Sequence, residues 1–407
     1  MMLSDAFDRD SAAVCRWIVA FVFLIGISLG SCLGQSAGSR PASTNIPGAE
    51  FPRINADSSA TFRVRADQAQ KVQLLMELGQ STYDMVKSKD GFWEVTTRPL
   101  LSGFHYYAIS VDGLASNDPG SRTFFAAQKE VSGLEVPGPD SDFFAIKDVP
   151  HGTVRTQWYV SKIAAETRRI FVYTPPGYDH NTSRYPVLYL QHGLGEDESG
   201  WSDQGHENFI LDNLIAAHQA VPMIIVNENG MTGVHFQPPP PPPPGQPPSH
   251  PSSQNVSHYF MEEHYAEFDS ILSQDLIPYI DANFRTIPDR DHRALAGLSM
   301  GGAQAMRIGF HHLDQFAYIG AFSPAIAITD PATDYDGILA NPARLNPQLR
   351  LLWIGIGSDD FLLGPVQKSH EVLERAGIKH VWVESSGAHV WTVWRKYLAD
   401  FAPRLFQ

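Results

Sequence analysis

The sequence has almost no cysteine. Of 407 residues only Cys15 and Cys32 are cysteines, and both lie close to the N-terminus. This excludes an internal disulfide framework, a thiolate nucleophile in the body of the chain and a cysteine-based metal site, so the fold must be held by packing. Positive charge is scarce as well. Lys and Arg total 30 against 44 Asp and Glu, a formal net charge of −14, which argues against nucleic acid or an anionic membrane as the main partner. Long apolar runs are also missing. The one stretch that stands out, "WIVAFVFLIGISLG" at 17–30, is short for a membrane span. It follows Arg16 and precedes small residues, so residues 1–32 read as a signal peptide or lipoprotein leader of an exported protein, secreted, periplasmic or held at the cell envelope.

"LGSC" at 29–32 resembles a bacterial lipobox, in which Cys32 carries a lipid anchor; ordinary cleavage of a signal peptide nearby is the alternative. What the chain does have is a hydrophobic content of 43% and an aromatic content of 11%, enough for a sizeable core. Its length allows one large α/β domain plus a smaller one. Residues 33–50, rich in Ser, Gly, Pro and Ala, read as a flexible tether. From about Ala60 the pattern is β-like: "ATFRVRA", "KVQLLMEL", "GFWEVTTRPL" and "GFHYYAISVDG" alternate or run apolar between turn residues. This predicts a small β-sandwich over 51–125, followed by a linker over 126–147. The stretch resembles the early-set, immunoglobulin-like modules found beside carbohydrate-active enzymes, on "TFRVRA", "DGFWEV", "PLLSGFHYYAISVDG" and "NDP". That resemblance implies a carbohydrate-binding-type module. The loop after "VQLLMELGQ" departs from it by lacking the aromatic that starch-binding members stack on sugar. Trp93, Tyr106 and Tyr107 are therefore expected in core or interdomain packing rather than on a sugar platform.

From residue 148 the pattern changes. "YPVLYLQHG", "VPMIIVNENG", "RALAGLS", "QFAYIGAFSP", "LRLLWIGIGSDD" and "KHVWVESSGAH" are strand-like. "NFILDNLIAA", "ILSQDLIPYIDANF" and "GGAQAMRIGFHH" have helical spacing. The alternation predicts an α/β domain over 148–407, with a mainly parallel sheet and helices on both faces. A proline-rich stretch over 237–253 can be neither helix nor sheet and reads as a surface insertion, with a substrate-facing lid as the alternative.

The chemistry gathers at predicted strand ends. Gly297-Leu298-Ser299-Met300-Gly301 fits G-x-S-x-G, the strand-to-helix turn that presents a serine nucleophile. Acyl transfer by serine also needs a base, an acid to orient it and oxyanion donors. Downstream of Ser299, "GSDD" offers Asp359 and Asp360, and "GAH" offers His389 after the last strand. His370 and His380 compete, but one lies in a helical run and the other enters a strand. The oxyanion donors expected are the N–H of Met300 and one from "QHGLGEDESGW", that of Leu194 or Gly193. His192 and Trp201 of the same stretch are candidates for the substrate pocket, with loop orientation and buried packing as their alternatives.

Taken in order, "DVPHGTV", "RRIFVYTPPGYD", "YPVLYLQHGLGEDESGW", "LIPYIDANFRT", "RALAGLSMGGAQA", "IGIGSDDF" and "GAHVW" resemble the esterase D-type branch of α/β-hydrolases. The similarity is closest to the feruloyl esterase and acetyl xylan esterase group of carbohydrate esterases, and it runs from about residue 148 to the C-terminus. It implies Ser299 as nucleophile, His389 as base and Asp360 rather than Asp359 as its orienter. It also implies an exported hydrolase of ester-substituted polysaccharide or oligosaccharide that needs neither metal nor cofactor. A siderophore esterase of the enterochelin type, an acyltransferase to a sugar hydroxyl and a non-catalytic carbohydrate-binding surface protein are the other readings.

Overall fold

The computed structural model describes residues 38–232 and 262–407. The leader, Cys32 and the proline-rich insertion lie outside the described residues. The described N-terminal region forms two antiparallel sheets. The first runs Arg40–Pro41, Arg53–Ile54, Ala60–Arg65, Phe92–Thr96, Val86–Lys87; the second runs Thr123–Ala126, Lys129–Val136, Gly103–Val111, Val72–Met76, Ser81–Asp84. Ala60–Arg65 and Val72–Met76 alternate buried with half-buried positions, as strands with one face inward must. Phe62, Leu74, Met76, Trp93, Tyr107, Ile109 and Leu134 close the core between the sheets, with the Phe62 and Tyr107 rings edge to face at 4.8 Å.

Two expected boundaries move. Arg40–Pro41 is paired within the segment read as a tether, and Lys129–Val136 is a central strand within the segment read as a linker. The turn-rich "EVPGPDSD" at 135–142 that marks a linker begins only where this strand ends. The strand is specified by its partners: it pairs with Gly103–Val111 on one side and Thr123–Ala126 on the other.

The strand Gly103–Val111 is buried almost throughout, and its two faces do different jobs. Tyr107 and Ile109 point into the β core, whereas Phe104 and Tyr106 join Trp201, Trp391 and Trp394 in the core of the α/β domain. A strand covered on both faces needs a near-continuous apolar run, which is what "GFHYYAISV" supplies. The contact is locked by Arg395, fully buried, whose guanidinium makes a bidentate pair with Glu135 at 2.8 and 2.9 Å.

The α/β domain carries an eight-stranded sheet in the order Thr153–Ser161, Glu166–Thr174, Ile224–Glu228, Val187–Gln191, Arg293–Leu298, Tyr318–Phe322, Leu351–Gly357, Val381–Ser385. The first two pairings in this order are antiparallel and the remaining five parallel, so the sheet is mixed but mainly parallel. Along Val187–Gln191 the side chains alternate between two helical layers. Val187 and Tyr189 face Phe268 and Leu272, while Leu188 and Leu190 face Trp201, Trp391 and Phe401. Gln191 pairs with Gly297, Leu298 with Phe322 and Gly357 with Ser385, so the loops after these strands all leave at one edge of the sheet.

One buried carboxyl in this core sets a pH dependence. Glu207 opens the helix Glu207–Ala216 and accepts from Ser202 Oγ and Asn227 Nδ2, both at 2.8 Å, through Oε1. Among the described residues its Oε2 has no partner, and burial pushes the carboxyl up to about 7. Between pH values near 4.5 and 7 the folded chain therefore holds a proton that the unfolded chain has released, so this contribution to stability falls as pH rises. The loss is on the order of 3 kcal/mol. Glu207→Gln should flatten that part of the slope, measured as urea midpoints for both proteins at about pH 5 and pH 8. Parallel slopes for the two would refute the assignment.

Candidate active site

Ser299 sits between the strand Arg293–Leu298 and the helix Met300–His311 with φ 54° and ψ −115°. A side chain in that conformation stores roughly 1–3 kcal/mol and persists only where its surroundings over-determine it. Here the Ser299 N–H donates to Phe322 O at 2.8 Å, and its carbonyl accepts from Ala303 and Ala325 N–H at 3.1 Å each. The flanking glycines are required by close approach. A Cβ on Gly297 would stand 2.6 Å from the Gly301 carbonyl, and one on Gly301 would stand 2.4 Å from His192 O. Helix Met300–His311 begins immediately after the serine, so the N–H of Met300 has no intrahelical partner and lies beside Ser299.

His389 and Asp360 meet across two adjacent loops. His389 Nδ1 lies 2.8 Å from Asp360 Oδ2, and Asp360 Oδ1 accepts the Leu362 N–H at 2.9 Å. The loops are stitched together by Ser358 N–H to Ser385 O at 2.7 Å and Asp359 N–H to Gly387 O at 2.9 Å. Asp360 is buried while Asp359 points to solvent. The imidazole of His389 packs against the rings of Phe361 and Trp394, with centroids at 4.7 and 5.0 Å. His370 and His380 instead bond to each other at 2.8 Å, and the His370 ring stacks on Trp382.

The stretch after Val187–Gln191 folds into a tight loop. Glu196 Oε2 accepts the Gly193 N–H at 3.1 Å, whereas among the described residues the Leu194 N–H has no partner. Of the two expected donors on this loop, Leu194 is thus the one left open. Of the readings open for His192 and Trp201, the structure shows loop orientation and buried packing. Both side chains are buried, and neither lines the cavity. The buried His192 ring holds the loop through Nδ1 to Gly193 O at 2.7 Å and receives the Gly230 N–H on Nε2 at 3.1 Å; burial lowers its pKa, so it is neutral. Trp201 donates to Gln191 O at 2.9 Å and packs edge to face on Trp391.

A cavity of about 150 Å³ brings Ser299, His389, Gly193 and Leu194 together. Much of its wall comes from residues that the sequence reading did not assign to a site: Phe361 and Trp394 from the α/β domain, and Leu78, Gln80, Phe104 and Tyr106 from the β region. Leu78, Leu194 and Phe361 are exposed and form an apolar rim. No lysine or arginine of the described residues lines the cavity. Glu196 lies at its base, where burial pushes its carboxyl up to about 7 against the hydrogen bonds from Gly193, Tyr106 and Trp391. The one sequence signal that pointed to the β wall was the doubly apolar strand around Tyr106. Trp93 and Tyr107 are buried in the β core, Trp93 donating to Ala66 O and Tyr107 to Asp118.

The comparisons agree with this architecture. An Esterase family model matches residues 161–405, more than half of the chain. An endo-1,4-beta-xylanase/feruloyl esterase of Xylanibacter ruminicola is 34% identical over 375 residues, 90% of this chain and 47% of that protein. The chain thus spans about half the length of this relative. The solved ferulic acid esterase of Anaeromyces mucronatus, determined with ferulic acid, is 27% identical at a TM-score of 0.53, covering 66% of this chain and 96% of that one. The enterobactin esterase of Shigella flexneri shares the fold at 17% identity and a TM-score of 0.58, over 86% of this chain and 93% of its own. With its mainly parallel sheet, its serine turn and this match along most of the α/β domain, the chain belongs to the esterase family.

Proposed function

We propose that this chain is an exported serine esterase that removes feruloyl, or acetyl, groups from plant cell-wall xylan. In this reading Ser299 is the nucleophile, His389 the base and Asp360 its orienter. Asp360 holds Nδ1–H, which leaves His389 Nε2 to take the proton from Ser299 Oγ as the oxygen attacks the ester carbonyl. The N–H groups of Met300 and Leu194 receive the negative charge on the carbonyl oxygen. The C–O bond to the sugar then breaks, and His389 returns the proton to the departing hydroxyl. Water repeats the sequence on the acyl-enzyme, releasing the acid and freeing Ser299.

The observation that carries the reading is the cavity shared by Ser299 and His389, with the imidazole bonded to Asp360 at 2.8 Å. The substrate class is supported by the likeness to a xylanase/feruloyl esterase and to a ferulic acid esterase bound to ferulic acid. An apolar rim of Leu78, Leu194 and Phe361 suits an aromatic acyl group. The enterochelin-type alternative would call for cationic residues around a catecholate trilactone, and among the described residues none lines the cavity. The early-set, immunoglobulin-like reading of the β region belongs to this proposal too.

An ester panel tests it: methyl ferulate, a feruloylated arabinoxylan oligosaccharide, acetylated xylan and a catecholate trilactone, each with wild type and Ser299→Ala. Serine-dependent release of ferulate, fastest from the oligosaccharide, is the expected result. Turnover of the trilactone alone would move the protein to siderophore hydrolysis. Acyl transfer to added sugar without free acid would move it to acyltransferase chemistry.

A further inference from the structure

The loop that offers the Leu194 N–H is not held by the α/β domain alone. Its anchor is Glu196. Oε2 accepts the Gly193 N–H at 3.1 Å, while Oε1 accepts the Tyr106 hydroxyl at 3.0 Å and the Trp391 Nε1–H at 2.9 Å. Tyr106 belongs to the β-region strand Gly103–Val111; Trp391 follows His389 by two residues and opens the last long helix. The direction of the Tyr106 hydroxyl is settled by its other neighbours. Gln204 Nε2 donates to it at 2.9 Å, and the one N–H of Trp391 is shared between it at 3.0 Å and Glu196 Oε1 at 2.9 Å; of these three neighbours only Glu196 can accept, so the hydroxyl hydrogen goes to Glu196. The β region touches the loop a second time through the hairpin tip between Thr123–Ala126 and Lys129–Val136. There the Gln128 N–H donates to Gly195 O at 2.8 Å. The approach is so close that a Cβ on Gly195, which has φ +82°, would stand 3.1 Å from Ala127 Cα.

We propose that Glu196 and Tyr106 are positioning residues for the oxyanion loop, so that the β region is a working part of the catalytic site and not an appended binding module. By occupying the Gly193 N–H, Glu196 fixes the His192–Gly193 peptide, and with it the start of the next peptide, which carries the Leu194 N–H and whose Gly193 carbonyl is held by His192 Nδ1 at 2.7 Å. Tyr106 in turn fixes the Glu196 carboxylate. A donor displaced from the position of the developing oxyanion loses most of its effect on the transition state while ground-state binding is little changed. This rests on the proposed role of Ser299, and the experiment separates the two.

The test uses the full chain with p-nitrophenyl acetate at about pH 8, comparing wild type, Glu196→Gln, Tyr106→Phe, the double variant and Ser299→Ala. Glu196→Gln keeps the shape but puts an amide where two sets of donors converge. It should lower kcat by about 10- to 100-fold with KM within about twofold. Tyr106→Phe keeps the ring that walls the cavity and removes only the hydroxyl; a fall in kcat of about 3- to 10-fold is expected. Because both act through one loop, the double variant should be no worse than Glu196→Gln within about twofold. Wild-type kcat in a folded Tyr106→Phe would overturn the proposal, as would a loss confined to KM, which marks a wall residue, or losses that multiply in the double variant. If Glu196→Gln fails to fold, Tyr106→Phe decides alone. Retained activity in Ser299→Ala would instead defeat the serine mechanism itself.

Discussion

Ser299→Ala is expected to lower kcat on methyl ferulate by about 10⁴- to 10⁶-fold while leaving the melting temperature the same or higher. The size follows from the role. No other hydroxyl is held on the strand-to-helix turn beside the Met300 N–H, so its loss removes the covalent route and leaves only the oxyanion donors and the cavity. The sign of the stability change follows from the backbone. A φ of 54° with ψ −115° is no easier for alanine than for serine, but the half-buried hydroxyl, which among the described residues has no hydrogen-bond partner, is removed. Burst kinetics with a chromogenic ester, together with thermal unfolding, measure both. A variant that keeps even a tenth of wild-type turnover would move the nucleophile elsewhere.

The second large effect distinguishes two neighbouring carboxylates. Asp360→Asn is expected to lower kcat by about 10²- to 10⁴-fold, and Asp359→Asn to change it by less than about threefold. Asp360 is almost fully buried and uses both oxygens, one on His389 Nδ1 and one on the Leu362 N–H. Asparagine has one oxygen. If it stays on Leu362, the amide N–H₂ faces Nδ1 and forces the imidazole into the tautomer with its proton on Nε2, which cannot accept from Ser299. If the amide turns round, an N–H₂ faces the N–H of Leu362 inside the protein, which costs about 1–3 kcal/mol. Asp359 is exposed and contributes its backbone N–H to the Gly387 carbonyl, a contact that asparagine keeps. A full pH profile for both variants and wild type provides the check. Equal losses in the two would remove the assignment of Asp360.

Much of this was legible before any coordinates, for reasons that are local. The serine turn is encoded within five residues, because only small flanking residues allow the helix to start against the preceding strand; Gly297 and Gly301 meet within the contact distance of a single Cβ. The parallel core was legible because buried strands need continuous apolar runs such as "YPVLYL" and "RALAGL". The placements that the sequence misassigned are those with no local signature. Lys129–Val136 falls in the segment read as a linker because its place in the sheet comes from pairing with Thr123–Ala126 across a tight turn and with Gly103–Val111, not from a clear periodicity of its own. For His192 and Trp201 the sequence left pocket lining open beside loop orientation and buried packing, because position along a loop does not say which way a side chain turns. In the fold, His192 is held inward by Gly193 and Gly230, and Trp201 by Gln191 and Trp391.

The sequence by itself determined the sheet-and-helix alternation, the strained serine turn and the order of serine, acid and histidine along the chain, since each depends on periodicity or on contacts a few residues apart. The tertiary structure alone decided which donor the loop after Gln191 leaves open, because that depends on Glu196 occupying the Gly193 N–H. It alone decided that the β region walls the cavity, because Tyr106 reaches Glu196 across 90 residues and Trp391 across 285. Contacts at such separation are made by the packing of a strand against a loop and a helix from elsewhere in the chain, and they leave no mark on the local sequence beyond an apolar strand with two faces to bury.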